Sequence, residues 1–327
     1  MDREQEYVEH SGVRNSELGY FISSPALYKD YIVDGNKPES NESFFSLGSI
    51  VHCSILENEY LWSRFIFSKY DNPKSAQQKK FVDNCIYYFN KGLTDIDFII
   101  IEALNNSYTT NKLSDTEKKK KATVLYDEFK ARISFYIEHN DKTILPIREF
   151  IRFKKCVKSI NNHKRSNYFL QDTFYKSENE FPIYWKFNNL EMKSKLDRIV
   201  FDKKTNTIFI IDLKTTGKPI SKFKGSYNDY DYQREMAIYK MAIKWLIDND
   251  SKYSEFKDYD IVIKLVVVET VNYFETTVIN LPLEPIDERI RKLSEETLPD
   301  LEWHFKNNVW NYSRKYFEGD GETTLIN

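Results

Sequence analysis

Ile208-Phe-Ile-Ile-Asp-Leu-Lys-Thr-Thr216 is the stretch on which the reading of this chain turns. On a strand, residues two apart share a face, so Ile208, Ile210, Asp212 and Lys214 point one way. Phe209, Ile211 and Leu213 point the other. A strand that begins apolar on both faces belongs in the middle of a sheet. This one ends by setting a carboxylate and an ammonium side by side, and charges at the end of a buried strand need partners.

The surrounding sequence has the same texture. Upstream, Phe181 to Phe187 alternates apolar and polar residues, and Glu191 to Asp202 reads as a second strand. The turn residues Asp202-Lys-Lys-Thr-Asn206 join it to the third. Downstream, Tyr227 to Asp248 carries helical periodicity. The β-branched runs Tyr259 to Thr270 and Phe274 to Leu281 follow, and Glu284 to Phe305 reads as a last helix. Before residue 177 the pattern is helical: Asn15 to Asp30 broken at Pro25, Ser46 to Asn58, Ala76 to Lys91, Asp115 to Asn140, and Phe150 to Asn167. A capping box, Ser114 with Glu117, opens the fourth of these. The expectation is one α/β domain over 1–327. Its parts are a mainly helical portion at 1–176, a catalytic core at 177–283, and a C-terminal helix and tail at 284–327.

Composition narrows the class. Of 327 residues, 41% are hydrophobic, and glycine and proline number nine each, which excludes collagen-like and mostly disordered chains. No apolar run approaches ~20 residues, so no membrane span is expected. The charged N-terminus gives no sign of a signal peptide. Three scattered cysteines fit free thiols in a reducing, cytoplasmic setting and exclude a four-cysteine cluster. A net charge of −2 means that any nucleic-acid contact must be a local basic groove. Two stretches supply one: Arg152, Lys154, Lys155 and Lys158, and the segment Lys218, Lys222, Lys224. The second reads as a mobile loop ending at Gly225.

The chemistry sits around Asp212. If the second and third strands pair as a hairpin, Asp197 approaches Asp212. Two carboxylates and a backbone carbonyl such as that of Leu213 make an oxygen set suited to Mg²⁺. A lysine beside such an ion orients or deprotonates water, or stabilises charge on a phosphoryl oxygen. Glu180 stands at a strand start as a further carboxylate. Gln233 and Tyr239 lie on the following helix, with positions near enough to share part of one side.

In order along the chain, these segments resemble the PD-(D/E)xK nucleases, specifically RecB-like nuclease domains and the exonuclease VIII (RecE-like) phage enzymes. Ser24-Pro25-Ala-Leu-Tyr28 resembles an N-terminal S-P-x-x-Y segment. Gly48-Ser-Ile-Val-His52 resembles a G-x-x-x-H motif, Lys195-Leu-Asp197 the first metal-binding aspartate, and Asp212-Leu-Lys214 the D-x-K core. Glu180 with Trp185 resembles the acidic strand start. Tyr232-Gln233 through Tyr239 resembles the Gln/Tyr helix, with five intervening residues where the motif usually has three.

The resemblance covers roughly residues 8 to 250. It implies a restriction-endonuclease-like mixed sheet flanked by helices, and a metal held by His52, Asp197, Asp212 and the Leu213 carbonyl. Lys214 and Glu180 become catalytic residues. Gln233, Tyr239, Lys218, Lys222 and Lys224 become DNA contacts. The activity implied is Mg²⁺-dependent DNA hydrolysis, with Mn²⁺ substituting. It would run 5′→3′ on linear duplex in phage recombination, beside a single-strand annealing protein and in a homo-oligomer. A single-strand or defence-type nuclease and an idle DNA-binding scaffold are the alternatives.

Overall fold

The computed structural model describes residues 3–38, 46–170, 174–319 and 321. The tail from 322 to 327 lies outside them. The chain divides into two compact units, one comprising Phe44–Ser54 with Asn58–Lys155, the other Met1–Ser43, Ile55–Glu57 and Cys156–Asn327. Two of the four crossings between them fall inside helices, Ser46–Leu56 and Ile147–Asn162. Among the described residues, 3–38 group with the sheet.

In the first unit, helices Ala76–Asn90, Ile96–Ser107 and Asp115–Glu138 enclose an apolar core that includes Phe81, Cys85, Ile99, Leu104, Ala122 and Ile133. Each helix starts at a side-chain cap: Ser75 with Gln78, Asp95 accepting from the Phe98 N–H, and Ser114 with Glu117. Such a cap contributes about 1 kcal/mol. The middle helix has no counterpart in the sequence reading. Its run Phe98-Ile-Ile-Ile101 has no polar gap to reveal a period, and Asp95 is the signal that marks its start. Strand β1 (Phe65–Ser68) pairs in parallel with β2 (Thr143–Pro146).

The other unit is built on a five-stranded mixed sheet. Strands β3 (Lys176–Phe187), β4 (Leu190–Asp202), β5 (Thr207–Thr216), β6 (Asp260–Glu269) and β7 (Thr276–Asn280) lie side by side in chain order. β5 and β6 are parallel and the other neighbours are antiparallel. The β4–β5 turn closes with Asn206 at φ 50°, a left-handed conformation that asparagine tolerates better than most residues. The parallel crossover carries helix Tyr232–Asn249. Its Met236, Ala237, Ile238, Ala242 and Ile243 are buried in one core with Leu196, Ile210, Ile263 and Leu265 of the sheet. β5 is buried on its other face as well, through Ile211 and Leu213, as a central strand requires.

Three expected helices are interrupted. Tyr227 to Asp248 breaks into Phe223–Asp229 and Tyr232–Asn249, because Asp231 takes φ 49°. Glu284 to Phe305 contains a wider turn at Leu293–Thr297. Phe150 to Asn167 becomes Ile147–Asn162 and Lys164–Leu170, and Arg152 pairs with Glu149 at 2.8 Å. At the N-terminus, Ser24 is extended between two helices and Pro25 opens the second. Tyr28 of the S-P-x-x-Y segment is a core residue, stacked on Trp310. Among the described residues no helix is long and apolar enough to cross a membrane.

β5 pairs with β4 only over Arg198–Asp202, which leaves the Leu190–Asp197 half of β4 without that neighbour. The N-terminal segment covers part of this edge. Val13 donates to the Glu191 carbonyl and accepts from the Lys193 N–H, each at 2.9 Å. Gly12 permits the approach, since a Cβ there would lie 2.8 Å from the Met192 carbonyl carbon. Lys193 Nζ then donates to the carbonyls of Tyr7, Val8 and His10.

Candidate metal centre

The β4–β5 ladder stops at Arg198 opposite Ile211. The next opposed pair is Asp197 and Asp212. Here the strands part, and Asp197 Oδ2 accepts the Leu213 N–H at 2.7 Å in place of a ladder bond. On the other side of β4, pairing holds at Asn179–Arg198 and at Phe181–Leu196 and is interrupted between them. That position places Glu180 opposite Asp197, with Glu180 at φ 45°. A non-glycine residue in the left-handed region costs roughly 1–2 kcal/mol. Such strain persists where the surroundings enforce it, commonly at functional sites. Glu180 and Asp197 bring carboxylate oxygens within 4.8 Å of each other. Glu180, Asp197 and Asp212 thus take successive opposed positions on β3, β4 and β5, where both ladders are interrupted.

Two lysines answer them. Lys195 Nζ lies 2.9 Å from Glu180. Lys214 Nζ donates to Asp212 Oδ1 at 3.0 Å and to Glu235 Oε2 at 2.8 Å, and stands 4.6 Å from the centre of the Tyr232 ring. Tyr239 donates to Glu235 Oε1 at 3.4 Å. When ionised, Glu180, Asp197, Asp212 and Glu235 outnumber Lys195 and Lys214 by two charges. Asp212 is 1% exposed. Its Oδ2 lies 2.9 Å from Lys214 Nζ but receives no hydrogen bond. A buried, unsatisfied carboxylate oxygen in a cluster with two surplus negative charges suits a divalent cation. All-oxygen donors favour a hard ion such as Mg²⁺, Ca²⁺ or Mn²⁺.

Electrostatics follow from this packing. Burial raises Asp212 above the ordinary carboxylate range. Lys214 opposes that shift, and Asp197 and Glu235 reinforce it. Burial also raises Asp197, against Lys214 and with Glu180. For Lys214 burial acts downward, but Asp212, Glu235 and Asp197 overcome it, and the ammonium titrates well above its usual range. A lysine so held can donate to a phosphoryl oxygen or orient a water. It is poorly placed to remove a proton. Burial pushes Tyr239 upward, and Glu235 adds to that.

The remaining sequence candidates are placed as follows. His52 lies in the helical unit, half-buried on Ser46–Leu56. The end of that helix belongs to the sheet unit, where the Leu56 carbonyl accepts from Asn179, the neighbour of Glu180, at 2.8 Å. Gln233 and Tyr239 do not share a side of their helix. Six residues turn it to about 120° away, so Gln233 donates to the Pro285 carbonyl at 2.6 Å while Tyr239 is buried toward Glu235. Glu235 was not among the sequence candidates. Its signal was the spacing Glu235-x-x-x-Tyr239, the three intervening residues that Gln233 lacks. The segment Lys218–Lys224 is not a loop. Ile220–Lys222 forms a single helical turn, and helix Phe223–Asp229 runs through Gly225, anchored by buried Phe223. Lys218 pairs with Asp229 at 3.5 Å, and Lys222 and Lys224 are exposed.

Compared with known proteins, the chain matches no family model and no curated protein. Among solved structures it is similar to a "putative exonuclease" from Eubacterium rectale. The TM-score is 0.37 and the identity 10%, over 89% of this chain and 95% of that one.

Proposed function

We propose that this chain is a metal-dependent deoxyribonuclease with a PD-(D/E)xK-type site. The observation that carries this reading is the cluster at the parting of β4 and β5. Glu180, Asp197 and Asp212 stand opposite one another on three neighbouring strands there, Asp212 keeps a buried oxygen without a hydrogen bond, and Lys214 stands two residues beyond on the same face. Glu180, Asp197, Asp212 and the Leu213 carbonyl are the donors in this proposal. Mg²⁺ is the resident ion, with Mn²⁺ as substitute. A bound divalent ion would polarise the scissile phosphate and lower the pKa of water.

The protein's own groups do the rest. Asp197, fixed by the Leu213 N–H, and Asp212, fixed by Lys214, present preorganised negative oxygens to the cation. Lys214, kept cationic by Asp212 and Glu235, stabilises the charge that grows on a phosphoryl oxygen. Glu235 and Tyr239 hold that ammonium in place. Lys195 holds Glu180 in place.

The finer proposal, 5′→3′ resection of linear duplex during phage recombination beside an annealing protein, is supported by the sequence resemblance. The test is digestion of end-labelled linear, nicked and closed-circular DNA with Mg²⁺, with EDTA and Asp212→Ala controls. Loss of linear DNA from its ends alone supports an exonuclease. Equal cleavage by Asp212→Ala overturns the site.

A further inference from the structure

Beside Lys214 the structure holds a short aromatic stack leading from the core to the surface. Phe223, 3% exposed, stacks on Tyr232 with centroids 6.0 Å apart and planes at 22°. Tyr232 in turn stacks on Tyr230 at 5.7 Å and 30°. Tyr227 meets Tyr232 edge-on at 6.3 Å. Tyr232 also lies 4.6 Å under the Lys214 ammonium. Tyr230 ends the stack and is 67% exposed.

The turn carrying Tyr230 is held in place. Asp231, at φ 49°, pairs with Arg234 at 3.0 Å and with Arg289. Arg234 is fixed in turn by Asn15 at 2.9 Å. A large ring displayed on a clamped turn has already lost the entropy that a flexible ring would lose on binding.

We propose that Tyr230 is a stacking platform for an unpaired nucleobase next to the reaction site. This rests on the nuclease reading and names the part of the substrate that the aromatic stack receives. A nucleobase fits because it offers an uncharged π-face to a surface next to surplus carboxylates. The same segment supplies the exposed cations Lys222 and Lys224 for the adjoining phosphates. Stacking on an aromatic side chain is worth enough to change affinity by about five- to a hundredfold per base, whatever the base. The role expected is therefore to hold a frayed or single-stranded end without reading its sequence.

The test uses the full chain in Ca²⁺ and two fluorescent duplexes, each with a three-nucleotide single-stranded end. One end carries bases. The other carries abasic residues with the same phosphates. Wild type is expected to bind the base-bearing end about tenfold more tightly. Tyr230→Ala should erase that difference, and Tyr230→Trp should retain it. Equal weakening of both DNAs by Tyr230→Ala, or of neither, overturns the platform. The nuclease reading fails separately, if wild type cleaves neither DNA when Mg²⁺ replaces Ca²⁺.

Discussion

Replacing Asp212 by Asn in the metal-free protein isolates the cost of the cation site. Asp212 is buried, and its folded-state pKa lies above its unfolded value. The folded protein therefore holds a proton that the unfolded chain releases. Stability from this group is present at low pH and is lost as pH rises from the ordinary carboxylate range toward the raised value. In that window the loss is about 1.4 kcal/mol per pH unit. Lys214 titrates far above this window and adds no slope within it. It also keeps Glu235 at 2.8 Å after the substitution. Because 1 kcal/mol moves Tm by about 1.5 °C in a chain of this length, the variant should gain on wild type by about 2 °C per pH unit. Scanning calorimetry in EDTA from about pH 3.5 to 8 should show curves that meet at the acid end and diverge above it. Added Mg²⁺ should raise wild type and leave the variant nearly unmoved. Parallel curves, or a variant below wild type at every pH, would refute the account of a strained, cation-seeking cluster.

Glu235→Gln should leave the fold intact and lower turnover at saturating Mg²⁺ by about ten- to a hundredfold, since Lys214 loses a charged anchor. An unchanged kcat would count against the positioning role. Replacing Lys218, Lys222 and Lys224 with Ser should weaken DNA binding equally across sequences. Lys218 is already paired with Asp229. The log–log salt slope should therefore flatten by about 0.9 for each of two contacts rather than three, which fluorescence anisotropy at several salt concentrations can measure.

The strands were legible because period-2 alternation and the turn at 202–206 are local signals, and Asp212 and Lys214 follow from two-residue spacing alone. Asp197 could be placed opposite Asp212 once the hairpin was assumed. What local pattern could not reveal was where the ladder stops, because that depends on the Asp197 side chain taking the Leu213 N–H. The break at Asp231 was hidden for a similar reason: a left-handed aspartate is stabilised by Arg234 and by Arg289, 58 residues away. Lys218–Lys224 reads as a loop because it carries three lysines and no acid and ends at Gly225. Phe223, buried in the core, makes the difference. Glu235 is not legible by residue type, since the Gln/Tyr pattern calls for an amide, and only its spacing from Tyr239 marks it.

The edge of β4 that β5 leaves open has a consequence for assembly. An unpaired strand edge is a template for any other strand, including one from another molecule. Here the chemistry occupies one end of that edge, and Val13 covers the other. The shield comes from the beginning of the chain and the strand from its middle, a distant pairing of the kind that forms late in folding. Until Val13 docks, the strand carrying Asp197 has bare backbone beside its carboxylates. A version of this protein with residues 3–13 removed would therefore be expected to self-associate through β4 before it lost its helices, and size-exclusion chromatography beside circular dichroism would separate the two events.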